Sequence, residues 1–195
     1  MKETYENLLN ELEYSKYGWH SCGDLKIVSL LMGLQMGYKK YCCFLCDWDS
    51  RANTLHYLKR AWSQRKSLKV GEKNVQHQAL AEWHKILLPP LHIKLDLMKN
   101  FVKASEAKIK EGGLWVLRSA SSSATICSTT YFTRKKAWDA FHLVSSNFLG
   151  NNRAENYKEL IEDMLSLYHK LGCNVSLKIH MLHSHLISPR QLRHG

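Results

Sequence analysis

In the segment KKYCCFLCDWDSR, residues 39–51, Cys43 and Cys46 stand with two residues between them, among two aspartates and three aromatic side chains. A thiol pair at this spacing can hold a metal, cycle as a disulfide, or simply pack in a core. Thiolates and imidazoles together suit Zn²⁺, and a closed structural site takes four of them at tetrahedral angles. Cys43 and Cys46 supply two. His56 is the nearest third ligand along the chain, and the stretch HMLHSH at 180–185 offers His180, His183 and His185. On an α-helix His180 and His183 lie one turn apart. No second CxxC or HxxxH completes the set nearby, so the ligands must be gathered by folding. A redox pair of the thioredoxin kind opens a helix after a strand, whereas here the polar text WDSR follows. Cys42, beside Cys43, is equally at home as a buried thiol.

Charge is the second chemical signal. The chain of 195 residues carries 28 Lys and Arg against 17 Asp and Glu, a formal charge of +11. Between residues 51 and 73 lie Arg51, Lys59, Arg60, Arg65, Lys66, Lys69 and Lys73, opposed only by Glu72. From Met164 onward there is no acid at all, while five histidines and four Lys or Arg occur. Such a balance favours a polyanionic partner, of which nucleic acid is the commonest, over a small-molecule substrate. A solvated face, or an acidic partner protein, is the alternative. Arg51, Lys59, Arg60, Arg65, Lys66 and Lys69 are the expected phosphate contacts.

The elements that must position these groups read as mostly helical. Tyr5, Leu8, Leu9 and Leu12 mark the apolar stripe of a first helix. A short extended piece near Trp19 ends at Gly23-Asp24. Ile27, Leu30, Leu31 and Leu34 then repeat at helical spacing, with Gly37 as the stop. A further amphipathic piece spans Leu55–Trp62. Pro89-Pro90 opens a helix through Leu91, Leu95, Met98 and Val102, since proline suits a first helical turn. Two longer helices follow. One carries Ala137, Phe141, Val144 and Phe148 and closes at Gly150; the other carries Leu160, Met164, Leu167 and Leu171 and closes at Gly172. Val175, Ile179, Leu182 and Leu186 mark a last one. The expected class is α+β, leaning mostly α, in one domain over 1–195.

Two stretches break the pattern. Residues 112–134 have no acid, a Ser/Thr/Ala centre, and neither helical nor alternating periodicity, although well-patterned helical text flanks them. The tail 187–195 departs as abruptly. Both have the look of irregular segments, or of out-of-frame translation between in-frame blocks. Disorder is not expected elsewhere, because the hydrophobic fraction is 45%. The longest apolar run, IVSLLMGLQMG, is interrupted by Ser29, Gly33 and Gln35 and is far too short to span a bilayer. The acidic, amphipathic opening MKETYENLLNELEY is no secretory signal. The expectation is therefore an intracellular protein, nuclear if it acts on DNA, whose six cysteines form no disulfide framework.

The blocks MKETYENL, CGDLKIVSLLMGLQMGYKKYCCFLCDWDSR, LLPPLHIKL, NFLGNNRAENYKEL and LGCNVSLKIHMLHSHL together resemble a family of transposon-derived animal proteins similar to DDE transposases. The resemblance implies a remnant of an RNase H-like α/β core. It also implies a Cys/His motif after the second of three metal-binding carboxylates. Such enzymes cut DNA with two Mg²⁺ or Mn²⁺ ions held by that triad. In the family pattern the second carboxylate matches Asp24, at the end of a short strand. The first falls upstream of the MKETYENL block and the third downstream of HSHL, so the expectation is a truncated, inactive transposase-like fragment. Asp24 would then be vestigial, with non-specific DNA binding retained. Read without the resemblance, Gly23-Asp24 before an apolar-periodic run is a helix N-cap. The two roles are compatible.

Overall fold

The computed structural model describes residues 20–37, 39–116, 123–150 and 153–185. They form two compact units that divide at His92. The first expected helix and the 187–195 tail lie outside the described residues. Helix dominates, and regular strand is confined to two short segments, which bears out the α+β class with its lean toward α.

In the first unit, β1 (Ser21–Cys22) pairs in parallel with β2 (Ile86–Leu87), Ser21 opposite Ile86 and Cys22 opposite Leu87. The ladder ends where the Gly23 amide donates to the Leu87 carbonyl. Asp24 follows at once and starts α1 (Leu25–Leu31). Its Oδ1 accepts from the amides of Lys26 and Ile27 at 2.9 and 3.0 Å, satisfying two donors that a first helical turn leaves open. Val28, Leu30 and Leu31 turn inward.

The helix stops at Leu31, well before Gly37. Gly33 is the cause. It sits at φ +64°, and a Cβ there would stand 2.1 Å from the carbonyl oxygen of His77. The chain 76–80 runs against this corner, with Gln76 and His77 amides on the Gly33 carbonyl and Leu80 on Leu31. Leu34, expected as a helical position, is instead bridged to Val75 and buried.

Residues 41–50 form an irregular knuckle rather than a strand. Asp47 donates its amide to Ser63, Arg65 donates its amide to Leu45, and Cys46 bridges Gln64. The basic segment is thereby zipped to the thiol loop. The stretch 55–62, expected as an amphipathic helix, holds only a 3₁₀ turn at Asn53–Leu55 and the turns after it. Too few apolar side chains recur there to bury a helical face; His56 is the buried one.

The second unit holds the long helices. Helix α2 (Pro90–Val116) begins with proline in its first turn, as expected. Its inward face is Ile93, Leu97 and Ala104. Leu91, Leu95, Met98 and Val102, the stripe expected to be buried, are exposed. Both sets keep helical spacing, so periodicity alone could not choose between them.

Helices α3 (Ser123–Asn147) and α4 (Tyr157–Leu171) pack on each other. Ala137, Phe141 and Val144 are buried on α3 and Phe148 just after its end, and Ile161, Met164, Leu165, Tyr168 and Leu171 on α4. Leu160 and Leu167 sit at the edge of that face. Gly172, at φ +83°, closes α4 by donating to His169. The backbone of 112–116 and 123–134 is helical, where the sequence suggested an irregular insert. Ser176 caps α5 (Leu177–His180) by accepting from the Ile179 amide, and its hydroxyl donates to Asp96. A π-helical turn, Met181–His185, follows directly.

Candidate metal centre

Each pair of candidate ligands is positioned by its own local structure. Cys43 and Cys46 lie in the knuckle at zero relative exposure, with Cys42 buried beside them. Burial pushes the Cys43 thiol well above its ordinary range, and its hydrogen bond to Cys46 and the proximity of that thiol add to the shift. Cys42 is pushed up to about 11, again chiefly by burial. The Cys43 thiol in this state is neutral and protonated. A cation placed between the sulfurs would lower both pKa values and take up the thiolates.

His180 and His185 stand at the two ends of the π turn, their ring centroids 5.1 Å apart and nearly perpendicular. The helical type explains the pairing. An α turn brings residue i over i+4, whereas a π turn closes five residues on and lays His185 against His180. His180 Nδ1 is held 3.1 Å from the Ser184 hydroxyl, a contact that helps to orient the ring.

One ligand atom from each of Cys43, Cys46, His180 and His185 lies within 4.8 Å of the other three. Three of the four are buried and His185 is partly so. Tetrahedral ligands about 2.3 Å from a zinc ion stand about 3.8 Å apart. Two soft thiolates and two imidazoles are the donor set zinc takes in structural sites, and the oxygen-seeking Mg²⁺ or Mn²⁺ would find little here.

Sequence reasoning named Cys43, Cys46 and His180 among the ligands. It placed His183 beside them on α-helical geometry, and His183 is not a member of the group. His56 is not a member either: its Nε2 lies 2.7 Å from the Asp49 carbonyl oxygen, and its ring packs 4.9 Å from Trp48. The signal for His185 over His183 is the π turn, which the spacing of apolar residues does not disclose.

The basic residues divide. Arg51, Lys59, Arg60, Lys66 and Lys69 are exposed, and Lys59 lies over the Trp62 ring at 4.5 Å. Arg65 is spent inside the fold. Its side chain, 4% exposed, donates to the carbonyls of Tyr41, Cys46 and Lys73 and pairs with Asp47. Asp24, the presumed vestigial carboxylate, serves as the α1 cap. Among the described residues no helix is long and apolar enough to cross a membrane.

Residues 1–81 match a family model described as Domain of unknown function (DUF8703). That span holds the cap at Asp24, the Cys43–Cys46 knuckle and the whole basic segment 51–73. No curated protein and no solved structure matches the chain.

Proposed function

We propose that this protein is a zinc-stabilised nucleic-acid-binding protein of transposase-like descent. The observation that carries the reading is the gathering of two buried thiols and two imidazoles around one point. Zinc is the assigned ion because the donors are soft or borderline and none is a carboxylate. The basic segment supports a polyanionic partner, since six of its seven cations are exposed. Descent rests on the sequence phrases quoted above, and a short strand ending just before Asp24 is what that resemblance leads one to expect.

Metal analysis tests the reading directly. The purified chain should carry about one zinc ion, and chelation should lower its melting temperature. Cys43→Ser and His185→Ala should each lose the metal. Identical unfolding of wild type with and without chelator, and of Cys43→Ser beside it, would remove structural zinc. A labelled DNA duplex should bind weakly, with little sequence preference and a steep loss on adding salt. Binding indifferent to salt would remove the electrostatic half.

A further inference from the structure

Behind the thiol knuckle, in the first unit, the basic segment folds back on itself and leaves a cavity of about 170 Å³. Arg65, Lys66, Lys69 and Lys73 line it, against Asp47 and Glu72. The acids are unequal. Asp47 is already engaged by Arg65 and Lys73, so it offers little repulsion to an incoming anion. Lys66 and Lys69 are exposed and form no ion pair among the described residues. Arg65 uses Nε and one terminal nitrogen on backbone carbonyls, while its Nη1 has no hydrogen bond among the described residues. The cavity is thus concave and cationic, and its lining includes a guanidinium fixed in place. The loop that shapes it is set by Gly71, Lys73 and Asn74, all at positive φ.

We propose that this cavity seats one phosphate group of a nucleic-acid strand. The inference rests on the nucleic-acid reading above and gives it a specific anchor. A diffuse basic face attracts a polyanion without needing a concave seat. A guanidinium fixed in the lining, with two exposed ammonium groups beside it, is suited to a tetrahedral oxyanion with several acceptor oxygens. Because Arg65 also donates to the Cys46 carbonyl, the seat and the thiol knuckle share a scaffold. Loss of the metal should therefore loosen the seat.

The test uses the full zinc-loaded chain with two probes. One is a fluorescently labelled DNA duplex followed by anisotropy across a salt series. The other is inorganic phosphate, followed by the backbone amide shifts of residues 65–73. Lys66→Ala with Lys69→Ala should weaken duplex binding by about tenfold or more and lower the log–log salt slope by about two. The same variant should abolish the saturable phosphate shifts. Lys99→Ala with Lys103→Ala, an equal loss of exposed charge on α2, should cost much less. Equal losses from both double variants would overturn the seat while leaving the nucleic-acid reading intact. Absence of duplex binding by wild type at low salt would overturn that reading and the strand phosphate with it, even if inorganic phosphate still shifted the amides.

Discussion

Cys43 keeps its proton so long as no cation lies beside it, because burial makes a thiolate costly there, and thiols in general are mostly protonated near neutral pH. Metal uptake must then expel those protons, and the affinity for zinc rises with pH. Calorimetry in buffers of different ionisation enthalpy should count about two protons released per ion near neutral pH. The metal-free chain shows the opposite dependence. Cys42 is raised from 9.0 to about 11 and Cys173 from 9.0 to about 12, both by burial. A folded-state pKa above the unfolded one contributes stability that is whole below the unfolded value and is lost as pH climbs through the folded one. Melts of chelated protein should therefore hold steady below pH of about 9 and decline through about 11 to 12. Cys42→Val, which removes a titrating thiol at little change in volume, should flatten part of that decline. Asp24 gives a second residue-scale test. If capping is its role, Asp24→Ala costs about 1 kcal/mol in urea unfolding, and Asp24→Ser, which caps equally well, costs almost nothing.

At the scale of elements, the corner at Gly33 and the turn at 181–185 decide more than any helix does. Gly33→Ala meets both a left-handed backbone and the His77 carbonyl, and should destabilise by more than about 2 kcal/mol in equilibrium unfolding. In the π turn, His185→Ala should empty the metal site while His183→Ala leaves the zinc content unchanged; equal loss from both would mean an α-helical phase in solution. These two features also mark where the sequence was legible. The α3 face of Ala137, Phe141 and Val144 could be read off the chain, as could the αL stop at Gly172 and the cap at Asp24, because each is a local pattern. The thiol pair was legible too. What could not be read depends on distant chain. The end of α1 is imposed by residues 76–80, which lie more than forty positions away. The choice between two faces of α2 follows from what packs on Ile93 and Leu97, including the Tyr168 hydroxyl on the Leu97 carbonyl. The change from α to π at Met181 alters which histidines meet without altering the hydrophobic pattern that precedes it.

For the whole molecule, the governing quantity is a charge of +11 that local pairing leaves largely uncompensated. The acids of the knuckle, Asp47 and Asp49, are engaged by Arg65, Lys73 and Lys40. Much of the remaining positive potential extends into solvent, where it can speed the approach of a polyanion and is screened over about 8 Å at physiological ionic strength. Association rates with duplex DNA should accordingly fall more steeply with salt than dissociation rates rise, as stopped-flow mixing would measure. Mg²⁺ should act here as a competing counterion rather than as a cofactor. Nicking of supercoiled DNA that required Mg²⁺ or Mn²⁺ and vanished in Asp24→Asn would overturn this account.

The π turn carries one more consequence. A π turn holds one residue more than an α turn, and inserting a single residue into an existing helix is a simple way to make one. His180 and His185 would be out of phase in an uninterrupted α-helix, with His185 about 140° around the axis from His180. Removing one residue between them, a single-codon deletion, would set the two imidazoles four apart and restore an α-helical route to the same pairing. Two genetic lengths could therefore satisfy one metal ion, and lineages differing by one codon in this segment would be free to drift between them without losing the site.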